Sequence, residues 1–188
     1  RAMTLRTLEV YVGRGARFSL IDREESGSGN IRLTSTYVRQ MGGSHADLST
    51  LTLRNGTTRN NCFITLAEEA DLRVSGFSLT SERMHTDNFS FIEHAVPHCT
   101  SDELFKYILL DESRGVFTGR ILVAQDAQKT QAYQNNRNLL LSPSARMQSK
   151  PQLEIYADDV KCSHGMTTGQ LSEDALFYMR QRGIALQE

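Results

Sequence analysis

The sequence is short of the residue types that mark several protein classes. Its 188 residues include no Trp, three Pro and three widely spaced Cys at positions 62, 99 and 162. An odd number of cysteines argues against a disulfide framework and favours a reducing, cytoplasmic location. No run approaches the ~18 apolar residues of a membrane span. With 21 Lys and Arg against 22 Asp and Glu, the chain lacks the cationic excess of proteins that bind nucleic acids non-specifically.

Common catalytic motifs are also missing from the sequence. It contains no phosphate loop, no Gly-x-Ser-x-Gly and no His-Glu-x-x-His. Asp158 and Asp159 are adjacent, so on a strand they would point to opposite faces and could not act as a facing carboxylate pair. His94, His98 and Cys99 resemble a metal cluster, but Pro97 disrupts helical spacing, which favours a structural loop. None of these motifs therefore provides a recognisable catalytic site.

Short polar strands dominate the pattern. The segments 31–38 and 49–53 alternate apolar and polar residues with a period of two, and Asn55-Gly56 is a strong tight-turn signal. The segment 102–110 is ambiguous, because Thr100 and Glu103 could form a capping box for a short helix. Apolar runs on either side of residues 112–115 instead favour a hairpin-like pair of strands.

A faint repeat connects four alanines that share a small–polar–apolar–polar phasing, namely Ala16, Ala46, Ala70 and Ala145. Spacing near 25 residues without helical periodicity favours a β-solenoid over a β-sandwich. We therefore predict an all-β core domain over residues 1–170. A helix signal from Leu171 to Gly183, with acids after Ser172 and Gly183 at the end, predicts the start of a helical segment over 171–188.

The Cys-Ser-His triplet at residues 162–164 is the most chemically suggestive feature. If residues 153–163 form a strand, side chains alternate between two faces, with Val160, Cys162 and His164 on one and Lys161 and Ser163 on the other. A thiolate and an imidazole on one face suit iron, zinc or a cluster. A small buried Cys beside a hydrogen-bonded His is the structural alternative. Two ligands cannot complete four-fold coordination, so others would come from another turn or another chain.

Four segments carry a resemblance to a known family: 115–130, 135–141, 150–165 and 176–184. Through them the chain resembles the SufB/SufD family of iron–sulfur cluster assembly proteins, densely over residues 89–186 and more loosely over 1–88. SufB-like chains carry a cysteine just before the Leu-rich strand that matches residues 138–141. Here residues 135–138 read Asn-Asn-Arg-Asn, so the chain is more similar to SufD than to SufB.

The resemblance implies a right-handed parallel β-helix that serves as a non-enzymatic scaffold in a cytoplasmic complex with a SufB-like subunit and a SufC-like ATPase. It implies no tightly bound cofactor, only a transient iron or iron–sulfur cluster. His164 aligns with the histidine regarded as contributing to the cluster site, and Cys162 is a weaker ligand candidate. The terminal strands make the SufB contact in this family, so the partner interface candidates are Val160, Lys161 and Ser163.

The chain begins with Arg1 and ends soon after the helix signal, so we interpret it as part of a longer protein that lacks most of the SufC-docking segment. Without its partner it is expected to form a homodimer through the same strand edge. Two other functions remain open from the sequence. One is a β-helical carbohydrate-active enzyme, and the other is a purely architectural β-helix subunit in which His164 only packs.

Overall fold

The chain folds into twelve β-strands followed by one α-helix. A computed structural model describes residues 2–170 and 172–184. The elements in order are β1 Met3–Val12, β2 Arg17–Glu25, β3 Ile31–Gln40, β4 His45–Arg54, β5 Thr57–Leu66, β6 Asp71–Thr80, β7 His85–His94, β8 Thr100–Leu109, β9 Arg114–Val123, β10 Gln131–Leu140, β11 Arg146–Ile155, β12 Lys161–Gln170 and α1 Glu173–Gln181.

Odd and even strands form separate sheets. One sheet has the order β1-β3-β5-β7-β9-β11 and the other the order β12-β10-β8-β6-β4-β2, with parallel pairing throughout. Each coil thus contributes one strand to each sheet. The side chain of Thr34 bonds to Asn60, 26 residues further on, and Asn60 bonds to Asn88, 28 residues further on. The predicted all-β parallel solenoid is confirmed, with a coil slightly longer than the sequence repeat indicated.

The two-residue alternation of the strands builds the solenoid interior. In β6 to β9 every second residue is buried, because successive side chains on a strand point to opposite faces. The inward side chains of facing sheets fill one continuous core. Its largest fully buried apolar members are Ile64, Leu66, Leu72, Ile92, Tyr107, Leu109, Phe117 and Ile121.

The predicted Asn55-Gly56 turn lies between β4 and β5. Asn55 is buried, and its side-chain amide donates to the backbone carbonyl of His85 in the next coil at 2.8 Å. At Gly56 a Cβ atom would overlap the backbone of Asn30 in the preceding coil. The turn therefore needs Gly because stacked coils approach each other closely there.

The alanine repeat does not mark equivalent positions. Ala16 and Ala70 come directly before β2 and β6, but Ala46 lies inside β4, where it pairs with Phe18. Ala145 precedes β11, which belongs to the other sheet. The alanine pattern predicted the right architecture but did not align equivalent positions of successive coils. All inward positions of a solenoid show the same alternation, so the pattern could not identify which ones correspond.

The hairpin expected around residues 112–115 is wrong in its pairing. The segments on either side are strands, β8 and β9, but they lie in different sheets and do not form an antiparallel pair. The capping-box reading of Thr100 and Glu103 is also wrong, since both residues lie in β8 and Glu103 points inward. A sharp turn between apolar runs fits a hairpin and a solenoid corner equally well, so local sequence could not separate them.

The strand proposed over residues 153–163 is two strands. β11 ends at Ile155 and β12 begins at Lys161, and the exposed acids Asp158 and Asp159 lie in the connection. Asp159 forms an ion pair with Lys129. A paired, exposed turn residue does not fit the facing carboxylates of a glycosidase.

The helix predicted near the end is present as α1. Gly183 adopts a φ of 87°, and its N–H donates to the carbonyl of Arg180, which closes the helix as expected. Leu171 and residues 185–188, part of the predicted 171–188 segment, lie outside the described residues. No helix within residues 2–170 and 172–184 is both long and apolar enough to cross a bilayer.

The first coils carry a charged network that points inward. Arg32 in β3 bonds to Asp22 at 2.8 Å and to Glu24 at 3.0 Å, and Arg6 in β1 also pairs with Asp22. Glu24 and Arg32 are only 3% and 9% exposed. The solenoid interior therefore contains an ion-paired, charged cluster near its β1 end.

Candidate functional site

Cys162 and His164 lie in β12, the last strand of its sheet. Cys162 pairs with Ala132 of β10 and His164 pairs with Gln134, and both partners are fully buried and point into the solenoid. Neighbouring residues in a parallel register share a face, so Cys162 and His164 also belong to the inner face. The structure therefore puts the two candidate ligands on one face, as the alternation predicted, although on a strand that begins at Lys161.

Because β12 is the last strand of its sheet, its inner face is accessible from one side. Within residues 2–170 and 172–184, β12 has a strand neighbour, β10, on one side only. Cys162 is partly buried and packs against the core, whereas His164 is exposed. An inward-facing imidazole thus sits where another strand could be added.

The other interface candidates surround this edge. Lys161 and Ser163 are exposed on the outer face of β12, and Val160 packs against the core just before the strand. Val160 and Lys161 also border a surface cleft of about 300 Å³ whose other lining residues are His98, Lys129, Thr130, Gln131 and Asp159. The edge of β12 therefore offers a partner its backbone N–H and C=O groups, the Lys161 side chain and the neighbouring cleft.

A column of inward side chains leads through the core to His164. Register pairs connect Leu48 to Val74, Val74 to Glu103, Glu103 to Gln134 and Gln134 to His164. The column is apolar in the earlier coils and becomes polar in the last three. Burying a polar group without compensation costs free energy, so the change from apolar to polar side chains along the column calls for an explanation.

Glu103 and Gln134 form the buried part of this polar column. The Gln134 Nε2 donates to the Glu103 Oε2 at 2.6 Å, and both side chains are 0% exposed. Burial raises the pKa of Glu103 to about 7, and the amide hydrogen bond offsets only part of that rise. On the facing sheet, a Cβ at Gly119 would overlap the Gln134 amide. Gly119 therefore leaves the space that this amide occupies.

All three cysteines are free thiols whose surroundings disfavour the thiolate. Burial, and to a smaller extent the charge of Glu103, raises the pKa of Cys62 to about 12. Burial also raises the pKa of Cys99 and of Cys162. Without a bound metal, Cys162 is therefore a poor nucleophile, and its chemistry would depend on a cation that lowers its pKa.

The segment from His94 to Cys99 belongs partly to the core, whereas the sequence favoured a structural loop. His94 ends β7, is fully buried and bonds through Nε2 to the hydroxyl of Ser101 at 2.9 Å; burial lowers the pKa of His94 to about 4. His98 is exposed in the loop that follows. In the part of the chain that the structure describes, no three His, Cys, Asp or Glu side chains converge closely enough to hold a metal ion.

Sequence reasoning missed Glu103 and Gln134. In the sequence Glu103 stands only in a possible capping box, the alternative to the favoured pair of strands, and Gln134 carries no recognisable motif. The available signal was alternation in β8, where Glu103 occupies the inward phase of Ser101, Phe105 and Tyr107. A charged residue at an inward position is a functional signal once the strand is known.

Glu103 predicts a specific dependence of stability on pH. Its pKa is raised on folding, so its contribution is complete below the unfolded value near 4.5 and is lost as the pH rises through about 7. We expect this carboxyl to reduce the free energy of unfolding by up to about 3 kcal/mol at pH 8 relative to pH 5. Glu103→Gln should remove that loss, as measured by urea unfolding at both pH values.

The exposed Glu112 provides the control for this comparison, since Glu112→Gln should keep the alkaline loss of the unmodified chain. His94 titrates identically in all three proteins and cancels. An equal slope in Glu103→Gln and in the unmodified chain would show that Glu103 ionises normally.

Comparisons with known proteins give matches that extend over most of the chain. The SufBD core domain of the SUF system for FeS cluster assembly matches residues 1–188. A SufBD family protein of Synechocystis sp. is 37% identical over 177 residues, which cover 94% of this chain and 39% of that protein. SufD of Escherichia coli is 44% identical over 121 residues, 64% of this chain and 29% of that protein.

A plant relative gives the same picture. The chloroplastic protein ABCI7 of Arabidopsis thaliana is 36% identical over 184 residues, 96% of this chain and 38% of that protein. The chain thus spans less than half the length of these three relatives.

Proposed function

The chain belongs to the SufBD family of iron–sulfur cluster assembly proteins, and on that premise we propose that it is a non-catalytic scaffold subunit. In this proposal it works in the cytoplasm with a SufB-like subunit and a SufC-like ATPase. Iron or a nascent cluster is the cargo, held transiently at the junction with the SufB-like subunit, and the chain keeps no resident cofactor.

The observation that carries the proposal is the position of His164. Its imidazole belongs to the inner face of β12, yet it is exposed because β12 has one strand neighbour among the described residues. Cys162 is two residues away on the same face. Imidazole and thiolate are the ligand types that iron–sulfur chemistry uses.

An incomplete ligand set supports a site shared between two chains. Cys162 and His164 are two ligands, and within residues 2–170 and 172–184 no third His, Cys, Asp or Glu converges on them. Tetrahedral coordination of iron needs four ligands. A partner strand added to the edge of β12 would bring its own inward side chains beside His164.

Exposed edge strands are templates for pairing with other chains, because their backbone N–H and C=O groups are unpaired. Exposed Lys161 and Ser163 would then contact the partner from the outer face. A second copy of the chain could occupy the same edge when the SufB-like subunit is absent, which would give a two-fold homodimer. ATP would be handled by the SufC-like subunit, because this sequence contains no phosphate loop.

Replacing His164 tests the proposal directly. The full-length chain carrying His164→Ala is co-purified with its SufB-like and SufC-like partners, and cluster formation is scored as bound iron and acid-labile sulfide. We expect an unchanged yield of complex and a loss of most of the cluster, because an exposed side chain contributes little to folding while a ligand is removed.

His85→Ala is the matched control, since His85 lies on the outer face of the other sheet in β7. Normal cluster yield in both variants would reject the ligand role and leave the purely architectural alternative. A carbohydrate-active enzyme would instead degrade polysaccharides in the absence of the partner subunits. The exposed Asp159 is ion-paired with Lys129, which argues against a catalytic role for this carboxylate.

A further inference from the structure

We infer that Gln134 is a positioning residue for His164: its side-chain carbonyl accepts a hydrogen bond from one imidazole N–H and so presents the other ring nitrogen at the open edge of β12. The inference rests on the proposed ligand role of His164 for its functional meaning. Its structural content, a fixed imidazole tautomer, is independent of that role.

The first step is the register of the last three coils. Glu103, Gln134 and His164 are consecutive partners in β8, β10 and β12, on the inner face of one sheet. Neighbouring strands are roughly 4.8 Å apart, so a side chain as long as Gln reaches its neighbour in the next coil. Gln134 is therefore the inner-face neighbour of His164 in the described part of the sheet.

The second step is the orientation of the Gln134 amide. Its Nε2 donates to the Glu103 Oε2 at 2.6 Å. The amide also occupies the space that Gly119 leaves empty on the opposite sheet. Because the amide nitrogen bonds to the carboxyl group of Glu103, the amide oxygen must point away from that group.

The third step is an acceptor that lacks a donor. The Gln134 Oε1 is buried and has no hydrogen-bond partner, although Gln134 is 0% exposed. A buried carbonyl without a donor costs about 1–3 kcal/mol, so its persistence calls for a partner. His164 is the next residue in the column, and a neutral imidazole always carries one N–H donor.

The chemistry of metal-bound histidine explains why a hydrogen bond from His164 to Gln134 would matter. An imidazole that binds a metal through one nitrogen donates its other N–H to a carbonyl or carboxylate, which fixes the tautomer and the ring orientation. Loss of such a partner typically costs about 10- to 100-fold in metal affinity or activity. Glu103 would act one step further back, because its hydrogen bond from the Gln134 Nε2 leaves the Gln134 Oε1 available to accept from His164.

The test measures the tautomer of His164 in the full-length chain. Protein labelled with ¹⁵N at histidine is examined by long-range ¹H–¹⁵N correlation, which distinguishes protonated Nδ1 from protonated Nε2, and His164→Ala identifies the signal. Four proteins are compared: the unmodified chain, Gln134→Met, Gln134→Glu and Gln131→Met. Met removes the acceptor at similar length, Glu retains an oxygen acceptor, and Gln131 is exposed on the outer face of the same strand.

We expect a single tautomer in the unmodified chain, in Gln134→Glu and in Gln131→Met, and a mixture of both in Gln134→Met. In the reconstituted complex, Gln134→Met should slow cluster formation about tenfold, and Gln134→Glu should restore most of the rate. A mixture of tautomers already in the unmodified chain, or a single tautomer in Gln134→Met, would overturn the inference.

These outcomes separate the inference from the proposed function. If His164→Ala forms clusters normally, the ligand role fails, while the tautomer measurement still decides on Gln134. If His164→Ala loses clusters but Gln134→Met keeps one tautomer, the ligand role stands and only the positioning role is lost.

Discussion

Replacing Phe117 by Ala is expected to lower the free energy of unfolding by about 3–5 kcal/mol. Phe117 is fully buried on the inner face of β9, and its ring centroid lies 4.8 Å from that of Phe105. Phe105 occupies the space above Gly76, where a Cβ would overlap its ring. The pair therefore fills the lumen between the two sheets, and truncation would leave a cavity that rigid stacked strands cannot close.

Urea unfolding monitored by circular dichroism measures this effect. In a solenoid each coil contacts its immediate neighbours, so the loss should weaken the last coils, which carry His164. Phe89→Ala is the control, because Phe89 is partly exposed on the outer face of β7. It should cost clearly less than Phe117→Ala, and equal losses would contradict a core in which the inner face carries the stability.

Replacing Arg32 by Ala is expected to cost about 3–5 kcal/mol as well, for an electrostatic reason. Arg32 lies inside the first coils and bonds to Asp22 and Glu24 at 2.8 and 3.0 Å. Without Arg32, the 3% exposed Glu24 loses its ion-pair partner in the low-dielectric interior. An uncompensated buried carboxylate is costly because Coulomb attraction no longer offsets its desolvation.

A second variant separates lost charge pairing from lost packing. Arg32→Met combined with Glu24→Met removes both charges and should recover most of the stability, since a buried ion pair is often no better than apolar side chains of similar size. The exposed pair Arg83–Glu112 is the control, and Arg83→Ala should cost less than about 1 kcal/mol. If the double variant were as unstable as Arg32→Ala, packing of the Arg32 side chain would explain the loss.

Local sequence predicted the strands better than their partners. The alternating segment 31–38 is in β3, and the Asn55-Gly56 turn is where the pattern indicated. The hairpin around residues 112–115 failed because its strands pair with β6 and β10 or with β7 and β11, in neighbouring coils, rather than with each other. Pairing between coils is a long-range property that turn residues do not encode.

The candidate site was predicted in part. Alternation correctly put Cys162 and His164 on one face, but it could not distinguish the inner face from the outer one. That distinction needs the neighbouring strand, whose Ala132 and Gln134 are fully buried. The sequence alone did not identify Glu103 and Gln134 as neighbours of His164 in the sheet. Glu103 is equally plausible as a helix cap or as an exposed acid until its strand is known.

The two-residue alternation by itself determined a chain of short strands, and the odd cysteine count and balanced charge argued against a disulfide framework and a non-specific nucleic-acid binder. Tertiary structure alone decided how the coils stack. Coil length varies, with Thr34 and Asn60 26 residues apart but Glu103 and Gln134 31 residues apart. A fixed sequence period therefore cannot supply the register, and the column from Glu103 to His164 exists only because backbone hydrogen bonds between coils align residues that spacing keeps apart.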